Sequence, residues 1–331
     1  MNNKKIFVSG GAGFIGSHLV DQLLQDKYDV VVLDDLSNGK KENLTSAFAH
    51  NNFKFIQGSI LNKEDCEKAI QGVDYVFHLA CLGVRHSIHS PFENHLVNAE
   101  GTLNVLLAAR KENVKQFFYI STSEIYGRTT IFPITETNIT CPLTVYGASK
   151  LAGEHYTNSF FECYGLNTTV LRIFNNYGPR AHYEGDSGEI IPRVIISVLN
   201  DIEPIIFGDG SITRDFFFVK DTAKVLSSLI GNKKVIGKTF NLGTGKEISM
   251  KNLVEEILTL IPDKNLKIRY LDDRPADVPR LWVDSSKIRS EVKIDPELNF
   301  RDGLIETINY YRSKNSDKNL FKEITILNWK K

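Results

Sequence analysis

Hydrophobic positions in the first half of the chain follow two alternating patterns. Short, mostly apolar runs occupy residues 5–8, 30–33, 53–57, 75–79, 117–120 and 169–173. Between them lie stretches with helical spacing, at 14–25, 99–112 and 149–164. Strands that are continuously apolar, rather than alternating, belong to a parallel sheet covered by helices on both faces. The pattern predicts a doubly wound α/β domain. From about residue 174 it loosens, because Pro, Gly and charged residues break up 175–188, 207–214 and 271–280. Residues 215–230 and 238–242 return to sheet-type patterning. The expected division is a sheet domain made of 1–173 plus about 215–245, and a smaller, discontinuous lobe of about 174–214 plus 246–331. There is no internal repeat, low-complexity tract or linker.

Composition narrows the function classes. With 40 basic and 40 acidic residues the formal charge is zero, which argues against a nucleic-acid binder held by a broad positive field. A few arginines can still hold a diphosphate without altering the total. No apolar run approaches the roughly 20 residues that span a bilayer. The opening Met1-Asn2-Asn3-Lys4-Lys5 has the charge of a signal n-region, but its apolar stretch breaks at Ser9-Gly10-Gly11, too early for an h-region. Cys66, Cys81, Cys141 and Cys163 lack metal spacing. They are expected to be reduced, mostly buried thiols of a cytoplasmic protein. His86 and His89 lack a third ligand, so no metal site is expected.

The first chemical signal is Gly10-Gly11-Ala12-Gly13-Phe14-Ile15-Gly16, which follows a predicted strand and opens a predicted helix. Glycines at 10, 13 and 16 allow a tight turn and bring a pyrophosphate close to backbone N–H groups at the helix start. The next strand ends at Asp34, where a carboxylate can hold ribose hydroxyls and repel a 2′-phosphate. That favours NAD over NADP. The second signal is Tyr146-Gly-Ala-Ser-Lys150, which puts a phenol and an ammonium on one helix face. A tyrosine titrates near pH 10, so serving as a base near neutrality requires a lowering of about three pH units, about 4 kcal/mol. A nearby ammonium and a positive nicotinamide both act in that direction. The loop Ser121-Thr122-Ser123-Glu124-Ile125-Tyr126-Gly127 supplies hydroxyls and a carboxylate at a strand's carboxyl end, where α/β sheets bind ligands.

These segments together resemble the extended short-chain dehydrogenase/reductase family. The likeness also takes in His78-Leu79-Ala80, Asn98-Ala-Glu-Gly-Thr102, Arg172-Ile-Phe-Asn-Asn-Tyr-Gly-Pro179, Phe207-Gly-Asp-Gly-Ser-Ile-Thr-Arg214 and Arg274-Pro-Ala-Asp277. It implies a Rossmann-type domain that holds NAD and a smaller lobe that holds a nucleoside diphosphate sugar. Carried over, Tyr146 takes the proton of the sugar 4-hydroxyl, and Lys150 binds the nicotinamide ribose and lowers the Tyr146 pKa. Thr122 hydrogen-bonds the 4-oxygen. Gly10, Gly13, Phe14, Ile15, Gly16, Asp34, Asn38, Ser59, Ile60, Leu79, Ala80, Asn98, Ser121 and Phe174 stand at cofactor positions. Asn175 contacts the substrate phosphate or sugar, and Arg214 and Arg274 clamp the diphosphate, with Asp277 and Arg85 in the same pocket. Arginine forks suit phosphate oxygens on physical grounds as well. Two positions depart from the family: Ser59 replaces an Asp at the adenine, and Gly83 replaces a supporting Lys. A homodimer through the helix carrying Tyr146 and Lys150 is implied too.

Oxidation at C4 acidifies the C5 proton and opens three outcomes: epimerisation, loss of water across C5–C6, or loss of a C6 carboxylate. Epimerases that resemble the chain have small or apolar residues where Glu124 stands, and a carboxylate there is placed to remove the C5 proton. Glu124 therefore ranks a 4,6-dehydratase first. Ser123 complicates this, because dTDP-glucose dehydratases have an Asp there as acid. Thr-Ser-Glu is nonetheless the arrangement of GDP-mannose 4,6-dehydratases and of UDP-glucuronate decarboxylases. The decarboxylases also share His-Leu-Ala-Cys81, and Arg85 or His86 is able to meet a sugar carboxylate. Residues 186–193 and 207–216 resemble UDP-sugar 4-epimerases. A non-catalytic sensor of NAD or nucleotide sugar is disfavoured by the intact Thr122, Tyr146 and Lys150.

Overall fold

The computed structural model describes residues 4–262, 264–292 and 298–330. Its centre is a seven-stranded sheet of β1 (Lys5–Ser9), β2 (Asp29–Asp34), β3 (Phe53–Gln57), β4 (Tyr75–His78), β5 (Gln116–Thr122), β6 (Thr168–Ile173) and β7 (Lys238–Leu242). The order is β7-β6-β5-β4-β1-β2-β3 and every pairing is parallel. This is the Rossmann-type arrangement the apolar runs predict. Successive residues of each strand face opposite sides. Ile6, Val8, Val30, Val32, Phe77, Phe118 and Leu171 pack under the Phe14–Gln25 and Val219–Ser228 helices. Phe7, Val31, Leu33, Val76, Phe117, Tyr119 and Val170 pack under Lys63–Ile70, Gly101–Lys111 and Phe160 of the Val145–Tyr164 helix. Both faces of the central strands are buried, so those strands read as mostly apolar runs, whereas the edge strand β3 stays partly exposed.

After β3 the chain crosses back to lay β4 on the other side of β1. Helices then leave neighbouring strands in opposite directions and open a crevice at the strands' carboxyl ends. A buried histidine ties the switch together. His78 bonds Ser9 Oγ at 2.6 Å and Thr102 Oγ1 at 2.9 Å, and Ser9 Oγ accepts the N–H groups of Leu79 and Ala80. Burial, and then the Lys150 charge, hold this imidazole well below its ordinary pKa.

A second apolar core joins the helices Ile190–Leu199, Met250–Leu260 and Phe300–Asp317. Here the chain passes between the two cores more than once. Phe216–Phe218 pairs in parallel with Asn175–Tyr177, Val283 bridges to Ile134, and Ile288 packs into the sheet core. Cysteine burial differs from expectation: the four thiols are free, but Cys141 and Cys163 are exposed and Cys66 alone is fully buried, its pKa pushed up to about 12 by burial. Cys163 lies on the outward side of a helix whose inward side is taken by Gly153, Glu154, Thr157 and Phe160.

Behind the crevice, Arg172 on β6 makes a forked ion pair with Glu154, at 2.8 Å from Nη2 and 3.1 Å from Nε. It also donates to Tyr126 Oη at 2.8 Å, and Tyr126 donates to Asn241 at 2.7 Å. This network backs the loop after β5. Glu154→Ala strands a buried guanidinium and is expected to cost about 3–5 kcal/mol, read as a lower midpoint in urea unfolding. An unchanged midpoint would assign the loop's support to its apolar contacts instead.

Candidate active site

A cavity of about 380 Å³ runs from the carboxyl ends of the central strands into the second lobe. At one end it is walled by Gly10, Gly13, Phe14, Ile15, Gly16, Asp34 and Asn38. Gly10 has φ +70°, and a Cβ there would lie 2.7 Å from the Ala80 nitrogen; one on Gly16 would lie 2.1 Å from the Gly10 carbonyl oxygen. Only glycine lets these two turns close. The Phe14–Gln25 helix begins at Gly13 with no side-chain cap, so its first N–H groups are free for an anion. Asp34 accepts the N–H of Ala12 and of Leu36, each at 2.9 Å, which fixes the carboxylate at the cavity wall. A dinucleotide with a free ribose diol fits this set. Ser121 Oγ is buried there without a protein partner.

The middle of the cavity holds the catalytic candidates. β5 runs to Thr122, past the end expected from the apolar run, and Ser123–Tyr126 turns directly after it. Thr122 Oγ1 caps that turn by accepting the Glu124 N–H at 3.2 Å. The helix beyond begins at Val145 rather than 149, because Thr144 caps it through the Gly147 N–H at 3.1 Å. Tyr146 therefore sits in the first turn with Lys150 one turn behind. Thr122, Ser123, Glu124, Tyr146 and Lys150 all line the cavity.

The electrostatics of the pair differ from expectation. Lys150 Nζ donates to the Ile120 carbonyl at 2.6 Å and sits 4.4 Å from the centre of the Tyr119 ring. At the phenol, burial outweighs any lowering by this charge. Burial, followed by Cys81, Glu124 and Glu189, pushes Tyr146 well above its ordinary pKa, and the Thr122 hydroxyl opposes that rise. In the protein alone Tyr146 is a neutral phenol. Glu124 is raised too, first by burial, while Arg214, Arg85 and Arg274 pull it back. Among the described residues its carboxyl makes no hydrogen bond.

Beyond these residues the wall turns basic. Arg214 donates to the carbonyls of Val278 and Thr213 at 2.7 and 2.8 Å, which anchors it with part of its fork toward the cavity. Arg274 is held by Asp277 at 2.9 Å. Arg85 lines the cavity, forms no ion pair among the described residues, and is pushed down to about 10 by burial and then by Arg274. Asn175 also lines the wall, its Oδ1 buried and unpartnered.

Ile60, Leu79, Ala80 and Phe174 complete the wall as expected, but two expected residues lie off it. Ser59 turns onto the following helix: its N–H goes to Asp65 at 3.1 Å, and its Oγ accepts from Leu61. Asn98 is spent inside, clamping Leu82 through both N–H and carbonyl at 2.9 Å. Several wall residues carried no assigned role in the sequence, among them Cys81, His182, Asp186, Glu189 and Trp329. His89–Asp186 at 2.8 Å and Ser187–Asn38 at 3.0 Å latch the 182–189 segment across the opening. These residues meet only through the fold, and no local motif marks them.

The family model for GDP-mannose 4,6 dehydratase matches residues 7–307. A putative UDP-glucose 4-epimerase of Methanocaldococcus jannaschii is 35% identical, over 94% of this chain and 99% of its own. Among solved structures, the UDP-N-acetylglucosamine 4-epimerase of Methanobrevibacter ruminantium M1, in complex with UDP-N-acetylmuramic acid, superposes with a TM-score of 0.89. It is 34% identical and covers 95% of this chain and 100% of that one. The dTDP-glucose 4,6-dehydratase DesIV of Streptomyces venezuelae, with NAD bound, gives 0.88 at 29% identity, over 94% and 98%.

Proposed function

Since the chain belongs to the extended short-chain dehydrogenase/reductase family of nucleotide-sugar epimerases, dehydratases and decarboxylases, we propose that it is an NAD-dependent nucleotide-sugar 4,6-dehydratase. The observation that carries this reading is the Glu124 carboxyl, which lines the same cavity as Thr122 and Tyr146 and makes no hydrogen bond among the described residues. When bound, NAD supplies the hydride acceptor for C4 and the donor for C6. Gly10, Gly13, Gly16 and Asp34 would hold its pyrophosphate and adenosine ribose, and Lys150 its nicotinamide ribose.

Tyr146 takes the proton of the sugar 4-hydroxyl, and Thr122 orients that oxygen. Once C4 is a ketone, the C5 proton is acidic. Glu124, a carboxylate made more basic by burial, removes it. Ser123 is too weak an acid to release the C6 hydroxyl. Glu124, now protonated, hands the same proton to that hydroxyl, and water departs across C5–C6. Tyr146 would then return its proton to C5 as C6 is reduced, so that the net change is the loss of one water. Arg214 and Arg274 hold the diphosphate, which fixes the sugar along this row of groups.

Four-epimerisation is the second reading, favoured by the names of two of the similar proteins. The test offers UDP-glucose, UDP-N-acetylglucosamine, GDP-mannose and UDP-glucuronate to the NAD-loaded protein, with mass analysis of the products. Loss of one water supports dehydration. Unchanged mass with altered retention, or loss of carbon dioxide, would overturn it in favour of epimerisation or decarboxylation.

A further inference from the structure

The cavity has a direction. Arg214 is the strongest charge acting on Glu124, and the charges of Arg214 and Arg274 act on each other. The Arg274 guanidinium then lies over the Phe207 ring, 5.4 Å from its centre. Phe207 in turn packs against the Trp329 indole, with ring centres 4.8 Å apart and planes at 81°. Trp329 lines the cavity and Phe207 is not among its wall residues. A substrate whose sugar meets Glu124 and Tyr146, and whose diphosphate meets Arg214 and Arg274, therefore points its next group toward the indole. Ile212, five residues after Phe207, and Met250, which opens the 250–260 helix, also line the cavity, and the Met250 N–H donates to the Ile212 carbonyl at 2.9 Å.

The segment that brings Trp329 here is pinned to the second lobe by backbone acceptors. Arg193 Nη2 donates to the carbonyls of Thr325 and Ile326 at 3.0 Å, and Asn328 Nδ2 donates to the Gly188 carbonyl at 3.3 Å. Trp329 is 8% exposed. An aromatic ring that is nearly enclosed, lines the cavity and lies one step beyond two arginines is suited to a flat aromatic ligand group. It supplies no row of donors for a phosphate.

We propose that the nucleobase of the substrate stacks on Trp329, so that segment 325–330 forms one wall of the base pocket. This rests on the nucleotide-sugar reading, but not on which reaction follows. The base–diphosphate half of the substrate is enough to test it. Trp282 and Trp329 are the two tryptophans of the chain, and Trp282 is spent on the Gly245 carbonyl, away from the cavity wall. Trp282→Phe thus leaves Trp329 as the sole indole reporter.

In the NAD-loaded Trp282→Phe protein, whichever of UDP, dTDP and GDP binds is expected to change Trp329 emission saturably, and inorganic pyrophosphate is not. Trp329→Leu is expected to weaken that nucleotide about tenfold, the loss of one base–aromatic stack. Trp329→Phe is expected to recover most of it, with NAD retention equal in all variants. A Leu variant that binds the nucleotide as tightly as the parent, or a Trp329 emission blind to a nucleotide that does bind, overturns the proposal. Parent protein that binds none of the three nucleotides sinks the nucleotide-sugar reading, and this inference with it.

Discussion

Tyr146→Phe is expected to lower turnover of any nucleotide sugar by about 10²–10⁴-fold while NAD stays bound. The change removes one oxygen and leaves a ring of the same shape in the first turn of a long helix, so the fold is not at issue. What is lost is the hydroxyl proposed to take the 4-hydroxyl proton beside Thr122. The structure adds a condition to this role. Burial and the surrounding Cys81, Glu124 and Glu189 keep the phenol well above its ordinary pKa, and Lys150 is turned to the Ile120 carbonyl. A further favourable charge arrives with the nicotinamide, whose positive ring favours phenolate. Tyrosinate absorbance on titration with base is therefore expected to appear at lower pH in the NAD-loaded protein than in the NAD-free one. The difference should vanish in Tyr146→Phe. Turnover that survives in that variant would remove Tyr146 from the chemistry.

Much of the sheet was legible because a doubly covered parallel strand has no polar face to disguise it. The runs at 30–33, 75–79 and 117–120 mark strands whose alternate residues enter two different cores. The glycine turn was legible for a similar reason: Gly10 and Gly16 stand where a side chain would strike backbone. Other features depend on contacts distant in sequence and left no local trace. The helix start at Val145 escaped the apolar period because Val145 and Gly147 are poor helix formers and Thr144 sets the boundary by capping. Asn98 and Ser59 sit near the site in sequence, but their hydrogen bonds are spent on Leu82 and Asp65. The direction of the Tyr146 shift was not legible either. Spacing of four residues places an ammonium near a phenol but does not say which acceptor the ammonium chooses. Trp329 reaches the cavity from more than a hundred residues beyond the nearest catalytic candidate, and no periodicity could have placed it there.

Glu124→Gln is expected to suppress dehydration by at least about 10²-fold while C4 oxidation continues. The amide keeps the shape of the side chain, and the backbone N–H that Thr122 accepts is untouched, so the turn after β5 should hold. Tyr146, Thr122 and Lys150 remain to oxidise C4. With no base for the C5 proton the reaction stalls there, and reduced nicotinamide absorbance should accumulate on the protein to a larger fraction than in the parent. The pH profile separates a base from a merely positioned carboxyl. Burial lifts Glu124 above the ordinary glutamate value of about 4.3, and only the ionised form accepts a proton. Dehydration by the parent is therefore expected to fall as pH drops through a limb lying above that value. C4 oxidation in Glu124→Gln should lack this limb, because the group that titrates is gone. Undiminished dehydration in Glu124→Gln would remove the carboxyl from the elimination, and the dehydratase reading would lose the observation that carries it.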